Sequence, residues 1–489
     1  MEKSKRICII GAGASGICTL KAFAYYKAQM EANGNTNGEI FPEIICYEQM
    51  AEPAGIWNYT WRTGTDPTGR ILHSAMYSDL YINIPKECME LPDYTFEEHI
   101  GFNCPSFIPR GMCKDYLHAY LEKSGMKHCV QFSTRIEEVT YSKETKIFTV
   151  KTCDLKTKSI ITKEFDYVAV CAGHLVLPFI PEYPGFDTTD IRIIHSRDIR
   201  SVDEYRGRRV MVMGSSLSGE DLCCLLLKNG VKKIVLSYRS SKGIGPVSAQ
   251  DNKWGSEALV TAPGLVRVVG ETCHFVDGST HDVDVIILCT GYKHSYEFLQ
   301  QDLIVEPVNV DWPLNLYKGV LPLTADKQVP MGDSKLYYVG TWQSRYTWQS
   351  YYYQGFLVRD MILGRVTIPS AEEQKSWHDV RKEKSLGMLN DLKGDDLARR
   401  NAIKSFFNMA TDYMREIDSM TDAPKMDWDA CESIWFEFGK RRAKCETILD
   451  YRDEQFRSLF TGNVAPTPLV KWKDETCKDI NKWVARYKP

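Results

Sequence analysis

The hydrophobic pattern opens on a short apolar run, Ile7-Cys8-Ile9-Ile10, which reads as a buried parallel strand. Gly11, Gly13 and Gly16 follow as G-x-G-x-x-G, and Ile17, Leu20, Ala22 and Phe23 then carry a helical pattern. A second run, Ile44 to Tyr47, ends on Glu48. Residues 51–110 show no clean period and are dense in aromatics and turn formers, which predicts a long loop system. A helix is expected over Gly111–Leu121 and strand pairs over Val130–Val150. Two stretches echo each other: Asp166-Tyr167-Val168-Ala169-Val170-Cys171-Ala172-Gly173 and Asp284-Val285-Ile286-Ile287-Leu288-Cys289-Thr290-Gly291. Between them lies a second strand–turn–helix–strand unit. It comprises Arg209–Met213, the turn Gly214-Ser215-Ser216-Leu217-Ser218-Gly219, a helix over Glu220–Lys228, and a strand over Lys233–Tyr238. Residues 370–489 read as mostly helical.

A glycine-rich turn between strand and helix is chemistry as well as geometry. Gly11 permits the tight turn, Gly13 lets a pyrophosphate approach the backbone, and Gly16 lets helix and strand pack closely. The helix N-terminus offers free N–H groups and a positive dipole end to the phosphates. Glu48, an acid closing the second strand, suits the ribose hydroxyls; its distance from Gly11 exceeds the usual ~20 residues because of a long first helix and the polar insertion Asn33–Gly38. The second turn keeps Gly214 and Gly219 but has Ser216 at the middle position. Its second strand runs into Arg239-Ser240-Ser241-Lys242, which suits a 2′-phosphate and hence NADPH. The expected fold is α/β, with two Rossmann-like dinucleotide-binding domains, the NADPH domain inserted in the FAD domain, and a largely helical C-terminal extension. The expected boundaries are 1–178 and 291–489 for the two parts of the FAD domain and 179–290 for the NADPH domain. FAD on the first turn and NADPH on the second would let hydride pass between them.

Composition narrows the reading. With 489 residues and a net charge of −3, the chain is large enough for several cores and carries no signature of a nucleic-acid partner. Its 16 cysteines contain no C-x₂-C or C-x₄-C pair, which argues against a disulfide scaffold, a zinc site and a flavin disulfide reductase. No metal is implied. No apolar run approaches the ~20 residues of a membrane span, and the first strand leaves no room for a signal peptide, so no membrane anchor and a cytoplasmic location are expected.

Six short motifs carry a family resemblance: GAGASG at Gly11–Gly16, WNYTWRTG at Trp57–Gly64, PKEC at Pro85–Cys88, DYTF at Asp93–Phe96, WPLNLYKG at Trp312–Gly319 and RSLFTG at Arg457–Gly462. On these the chain resembles the class B flavin-containing monooxygenases, and is most similar to their trimethylamine-oxidising members. The family signature around His195 is eroded, with Thr189, Ile191 and Ile199 where Phe, Gly and an aromatic are expected. The resemblance implies that FAD, reduced by NADPH, reacts with dioxygen to give a C4a-hydroperoxide that oxygenates a soft nitrogen or sulfur nucleophile. It implies a catalytic role for Asn83 and cofactor contacts for Ser15, Trp57, His73, Ser215, Ser218, Thr290, Gly291 and Gln343. Tyr81, Arg345 and Trp348 would line the substrate pocket, and a homodimer is expected. Two positions depart from the relatives. Leu217 stands where they carry Tyr, and Arg345 where they carry Trp, so a larger or anionic substrate is a second expectation. A Baeyer–Villiger enzyme on the same scaffold and a non-catalytic nucleotide-binding protein are the alternative readings.

Overall fold

The computed structural model describes residues 4–34, 40–66, 69–238, 254–305, 315–323, 334–341, 345–391 and 396–489, without the side chains of 389 and 391–407. Two five-stranded parallel sheets organise it. The first runs, edge to edge, through Leu336–Tyr338, Tyr167–Val170, Arg6–Ile10, Glu43–Tyr47 and Val130–Gln131. The second runs through Leu259–Ala262, Lys233–Ser237, Arg209–Met213, Val285–Leu288 and Arg192–His195. In each, the central strand is the apolar run that feeds a glycine turn. These strands are covered on both faces, which is why they read as continuous hydrophobic runs.

The sequence echo is a structural duplication, bond for bond. The Gly11 N–H donates to Tyr47 O and the Gly214 N–H to Ser237 O, both at 2.8 Å. The Cys171 N–H donates to Ile10 O (2.9 Å) and the Cys289 N–H to Met213 O (2.8 Å). The echoed acids do the same work at the strand base: Asp166 accepts from the Arg6 N–H and Asp284 from the Arg209 N–H, each at 2.7 Å. All strands of the second sheet lie between residues 192 and 288, inside the stretch separating Val170 from Leu336 in the first. The chain passes between the sheets by two linkers that pair with each other, Leu177–Pro178 antiparallel to Tyr292–Lys293.

One face of the first sheet is covered by the antiparallel strands Thr134–Ser142, Ile147–Asp154 and Ile160–Phe165. The other is covered by the helices Ala14–Ala32, Arg110–Lys123 and Thr347–Leu363. Gly355 makes the crossing of the first and last of these possible, since a Cβ there would lie 3.0 Å from Cys18 O and Thr19 Cα. Tyr352 and Tyr353 are core residues at this crossing. The described residues from 51 to 109 hold only two 3-10 turns and the short helix Phe96–Ile100, as their lack of period predicts.

The C-terminal region is mostly helical, as the sequence predicts. Helices occupy Ala371–Asp391, Asp396–Ser419, Trp428–Lys444 and Ile480–Tyr487, but residues 445–479 hold only the 3-10 turns Tyr451–Asp453 and Trp472–Asp474. Pro466 and Pro468 deny that stretch a helix, and Tyr451, Phe456, Ala465 and Trp472 bury themselves against the rest of the molecule instead. At the eroded signature, Ile191 and Ile199 fill core positions, and His195 Nε2 donates to the Gly291 carbonyl (3.0 Å).

Candidate active site

At the first turn Gly11 has φ +99°, and a Cβ there would lie 2.7 Å from Cys171 O. A Cβ on Gly16 would lie 1.9 Å from Gly11 O. Gly13 faces Gly55, whose Cβ would approach Gly13 Cα at 3.0 Å, and the Ala54 N–H donates to Ala12 O (2.9 Å). The helix beginning at Ala14 has no side-chain cap and no acid in its first turn, so its leading N–H groups are open to an anion. Ser15 instead donates to Cys171 O (3.3 Å), tying helix to strand. Glu48 is buried, and its carboxylate accepts from the Ala12 N–H (2.7 Å) and the Met50 N–H (2.8 Å). Burial raises its pKa and these backbone donors oppose the rise. The acid is thereby fixed against the glycine turn.

The second turn repeats this geometry. Gly214 has φ +110°, and a Cβ on Gly219 would lie 1.8 Å from Gly214 O. Ser216 caps the helix Leu217–Lys228 without a side-chain hydrogen bond, and Ser216, Leu217 and Ser218 are exposed at its mouth, with Ser215 half-buried. Thr290 and Gly291 are spent on the linkers: the Thr290 hydroxyl donates to Phe179 O, and Gly291 O accepts from the Phe179 N–H (2.9 Å). Arg239, Ser240 and Gln343 lie outside the described residues.

Asn83 is half-buried, and its side-chain amide makes no hydrogen bond among the described residues, so it is not a loop-holding residue. The segment that carries it is anchored on both sides. The Ile82 N–H donates to Ile108 O (3.0 Å) and the Lys86 N–H to Ser106 O (2.8 Å). Trp57 and Trp348, far apart in sequence, meet edge to face with ring centroids 5.6 Å apart; Trp348 also stacks on Tyr116 (5.5 Å) and Phe96 (6.2 Å). Gln349 next to it donates to the carbonyls of Cys88 (3.0 Å) and Glu90 (2.9 Å). The aromatic wall and the Asn83 segment therefore form one unit. His73 is held neutral, its pKa lowered to about 4 by burial and then by Arg197. Tyr81 is buried, its hydroxyl without a hydrogen-bond partner among the described residues, and the charged groups that reach it, Glu475 and Arg486, belong to the C-terminal region. Arg345 is half-buried just ahead of the Thr347–Leu363 helix, its pKa lowered to about 10 by burial and by Arg442, so it remains a cation at neutral pH.

Beneath the wall, Lys86, Glu87 and Glu90 are all buried. Lys86 pairs with Glu87, and Glu90 accepts from the Ser458 hydroxyl (2.9 Å) and the Phe96 N–H (3.2 Å). Burial raises the Glu90 pKa to about 7. An unfolded glutamate releases its proton near pH ~4.3. The folded chain therefore keeps a proton that the unfolded chain has lost, and the stabilisation Glu90 provides below that value is lost as pH rises toward 7. Replacing Glu90 with Gln should flatten this dependence, so the melting temperature falls less between pH 5 and pH 8 than in the parent. Parallel melting curves against pH would refute the assignment.

Residues 4–261 match the family model described as flavin-binding monooxygenase-like. The chain belongs to the flavin-binding monooxygenase-like family. It is 36% identical over 469 residues to the trimethylamine monooxygenase of Methylocella silvestris, covering 96% of both chains. It is also 36% identical to that of Roseovarius nubinhibens, over 96% of this chain and 97% of the relative. The crystal structure of Tmm from a Pelagibacter strain superposes with a TM-score of 0.84 at 33% identity, over 98% of this chain and 100% of that one. The chain is a flavin-dependent monooxygenase with FAD and NADPH as its cofactors. The residues fit two dinucleotides: both glycine cradles would be filled by a single Cβ, and both helix N-termini are uncapped. Among the described residues, the buried hydroxyls of Thr341, which follows the Gly340 that packs on Ser15, and of Ser74, next to His73 in sequence, have no partner. Neither hydroxyl was signalled by sequence. Gly55 was signalled only in retrospect, by the turn formers of Pro53-Ala54-Gly55. No described helix is long and apolar enough to cross a membrane.

Proposed function

We propose that the first turn, through Gly11, Gly13 and Gly16 with Glu48, holds FAD, and the second, through Gly214, Ser216 and Gly219, holds NADPH. The observation that carries this is the duplicated turn, two helix N-termini of the same construction presented by the central strands of two sheets. Bound FAD supplies the oxygen activation. The chain's own residues do the rest. Trp57, Trp348, Phe96 and Tyr116 keep water from the flavin side. The amide of Asn83, without a hydrogen-bond partner among the described residues, would donate to bound FAD or substrate, and neutral His73 would add a hydrogen-bonding partner without charge. Ser15, Ser215, Ser218, Thr290 and Gly291 act through the turns and linkers they tie or flank. Arg239, Ser240 and Gln343 remain candidates from sequence. The domain boundaries we adopt are 1–178, 179–290 and 291–489, in a cytoplasmic homodimer; light scattering of the purified protein tests the assembly.

The substrate we propose is a tertiary amine such as trimethylamine, or a thioether or sulfinate, entering beside Tyr81, Trp348 and Arg345. The test is NADPH consumption with product mass, against trimethylamine, a larger tertiary amine, a thioether, a sulfinate and a ketone. A one-oxygen gain on an amine or sulfur compound supports the proposal; an ester from the ketone, with the others inert, overturns it. Arg345 sets the choice within that panel. Its guanidinium repels a cation and welcomes an anion, whereas an indole face favours a cationic or methylated amine by about 0.5–2 kcal/mol. Arg345→Trp should therefore raise kcat/KM for trimethylamine relative to the sulfinate by about tenfold. An unchanged substrate profile would remove Arg345 from the pocket.

A further inference from the structure

The non-helical C-terminal stretch, which the sequence does not mark as functional, grips the helix that follows the second glycine turn. Two acids follow Gly219 near the start of that helix. Asp221 pairs with Arg452, and Glu220 with Arg442 at the end of the preceding helix Trp428–Lys444; Asp221 and both arginines are buried. At the other end of the gripped helix, Lys228 Nζ donates to the Trp472 carbonyl (2.7 Å) and lies over its ring (4.6 Å). Arg452 is the centre of this grip. Its guanidinium is 4.7 Å from the Tyr451 ring and 4.3 Å from that of Trp472. Its Nε donates to the Ile82 carbonyl (3.3 Å). One side chain therefore joins the residue two positions after Gly219 to the residue immediately before Asn83.

We propose that Arg452 is a positioning residue for oxygen transfer: it fixes the second glycine turn, and with it the nicotinamide cofactor, relative to the Asn83 segment. This rests on the reading that the second turn holds NADPH. A rigid bridge is suited to the task, because the cofactor and the reacting edge must be held in register across two sheets, which the paired linkers also join. Burial makes the bridge an all-or-none device, since a lone charge on either side would be left unsolvated.

The experiment compares the holoenzyme with Asp221→Asn/Arg452→Gln, which removes both charges together and keeps similar side-chain volumes. FAD content and melting temperature are measured beside the KM for NADPH, the KM for amine and the peroxide released per NADPH. We expect FAD to be retained and the KM for NADPH to rise about tenfold, with severalfold more peroxide and an amine KM within about twofold. A purely structural bridge would lower the melting temperature without this split. A FAD-loaded double variant with wild-type NADPH KM and peroxide release overturns the proposal. Arg452→Lys keeps the charge but not the planar fork, so it should show the same direction of change even where the double variant fails to take up FAD; wild-type behaviour of the Lys variant also overturns it. Gly219→Ala separates the underlying reading, because its Cβ would lie 1.8 Å from Gly214 O. If that variant reduced its flavin with wild-type NADPH affinity, the assignment of the second turn would fail irrespective of Arg452.

Discussion

Gly16→Ala should yield a folded protein that purifies without its yellow colour. The added Cβ would lie 1.9 Å from Gly11 O and 3.5 Å from Cys171 Cβ. The first is backbone of the turn itself and the second the Cβ at the end of the neighbouring strand, so no flexible side-chain tip can move aside. The helix must back away from the strand, which spreads the turn and turns its leading N–H groups off the phosphate. Overpacking of this kind costs about 1–3 kcal/mol, and affinity changes tenfold for every ~1.4 kcal/mol. If the distortion falls on the bound state, FAD binds roughly ten- to a hundredfold more weakly. Gly387→Ala is the control. It lies in the helix Ala371–Asp391 with open space around its Cβ position, so it should keep FAD and gain slightly in stability. Flavin content by absorbance after desalting decides the matter, and full flavin occupancy in Gly16→Ala would contradict the assignment.

The second large effect is at Asn83. Its amide is half-buried and makes no hydrogen bond among the described residues, so Asn83→Ala removes nothing that holds the loop. The backbone bonds at Ile82 and Lys86 remain, and the melting temperature should stay close to the parent value. Catalysis should not. Removing one preorganised donor from a reacting centre typically costs about 10²–10³ in rate. Product formation should fall by that factor while NADPH is still oxidised, its electrons emerging as peroxide. Equal losses of NADPH oxidation and product would place Asn83 at hydride transfer instead. A large loss of stability with coupling intact would return it to a structural role.

The parts of this fold that sequence made legible are those built from local pattern. The strand–turn–helix units could be read because buried parallel strands leave unbroken apolar runs and because the turns admit only glycine at Gly11 and Gly214, where φ is positive. The echo of Asp166–Gly173 in Asp284–Gly291 was legible for the same reason: each acid ties a strand base and each cysteine closes against a turn glycine. What pattern did not carry was pairing between distant segments. Nothing in the sequence joins Trp57 to Trp348, or Arg452 to both Asp221 and Ile82. Nor did pattern mark where, within a mostly helical region, the stretch 445–479 leaves helix, because its packing is dictated by the helix it grips. Pattern also did not give the surroundings of residues taken from family resemblance: Trp348 stands against Trp57, while Tyr81 lies near charged groups of the C-terminal region.

The central claim is that one oxygen atom passes from dioxygen to a soft nucleophile on FAD reduced by NADPH. The most direct test supplies the FAD-loaded protein with NADPH and trimethylamine, or the best sulfur substrate of the panel, under isotopically heavy dioxygen in ordinary water. The account predicts a product carrying one heavy oxygen atom, formed in step with NADPH consumption. A product whose oxygen comes from water, or NADPH oxidation that yields only peroxide across every amine and sulfur substrate tried, would contradict it.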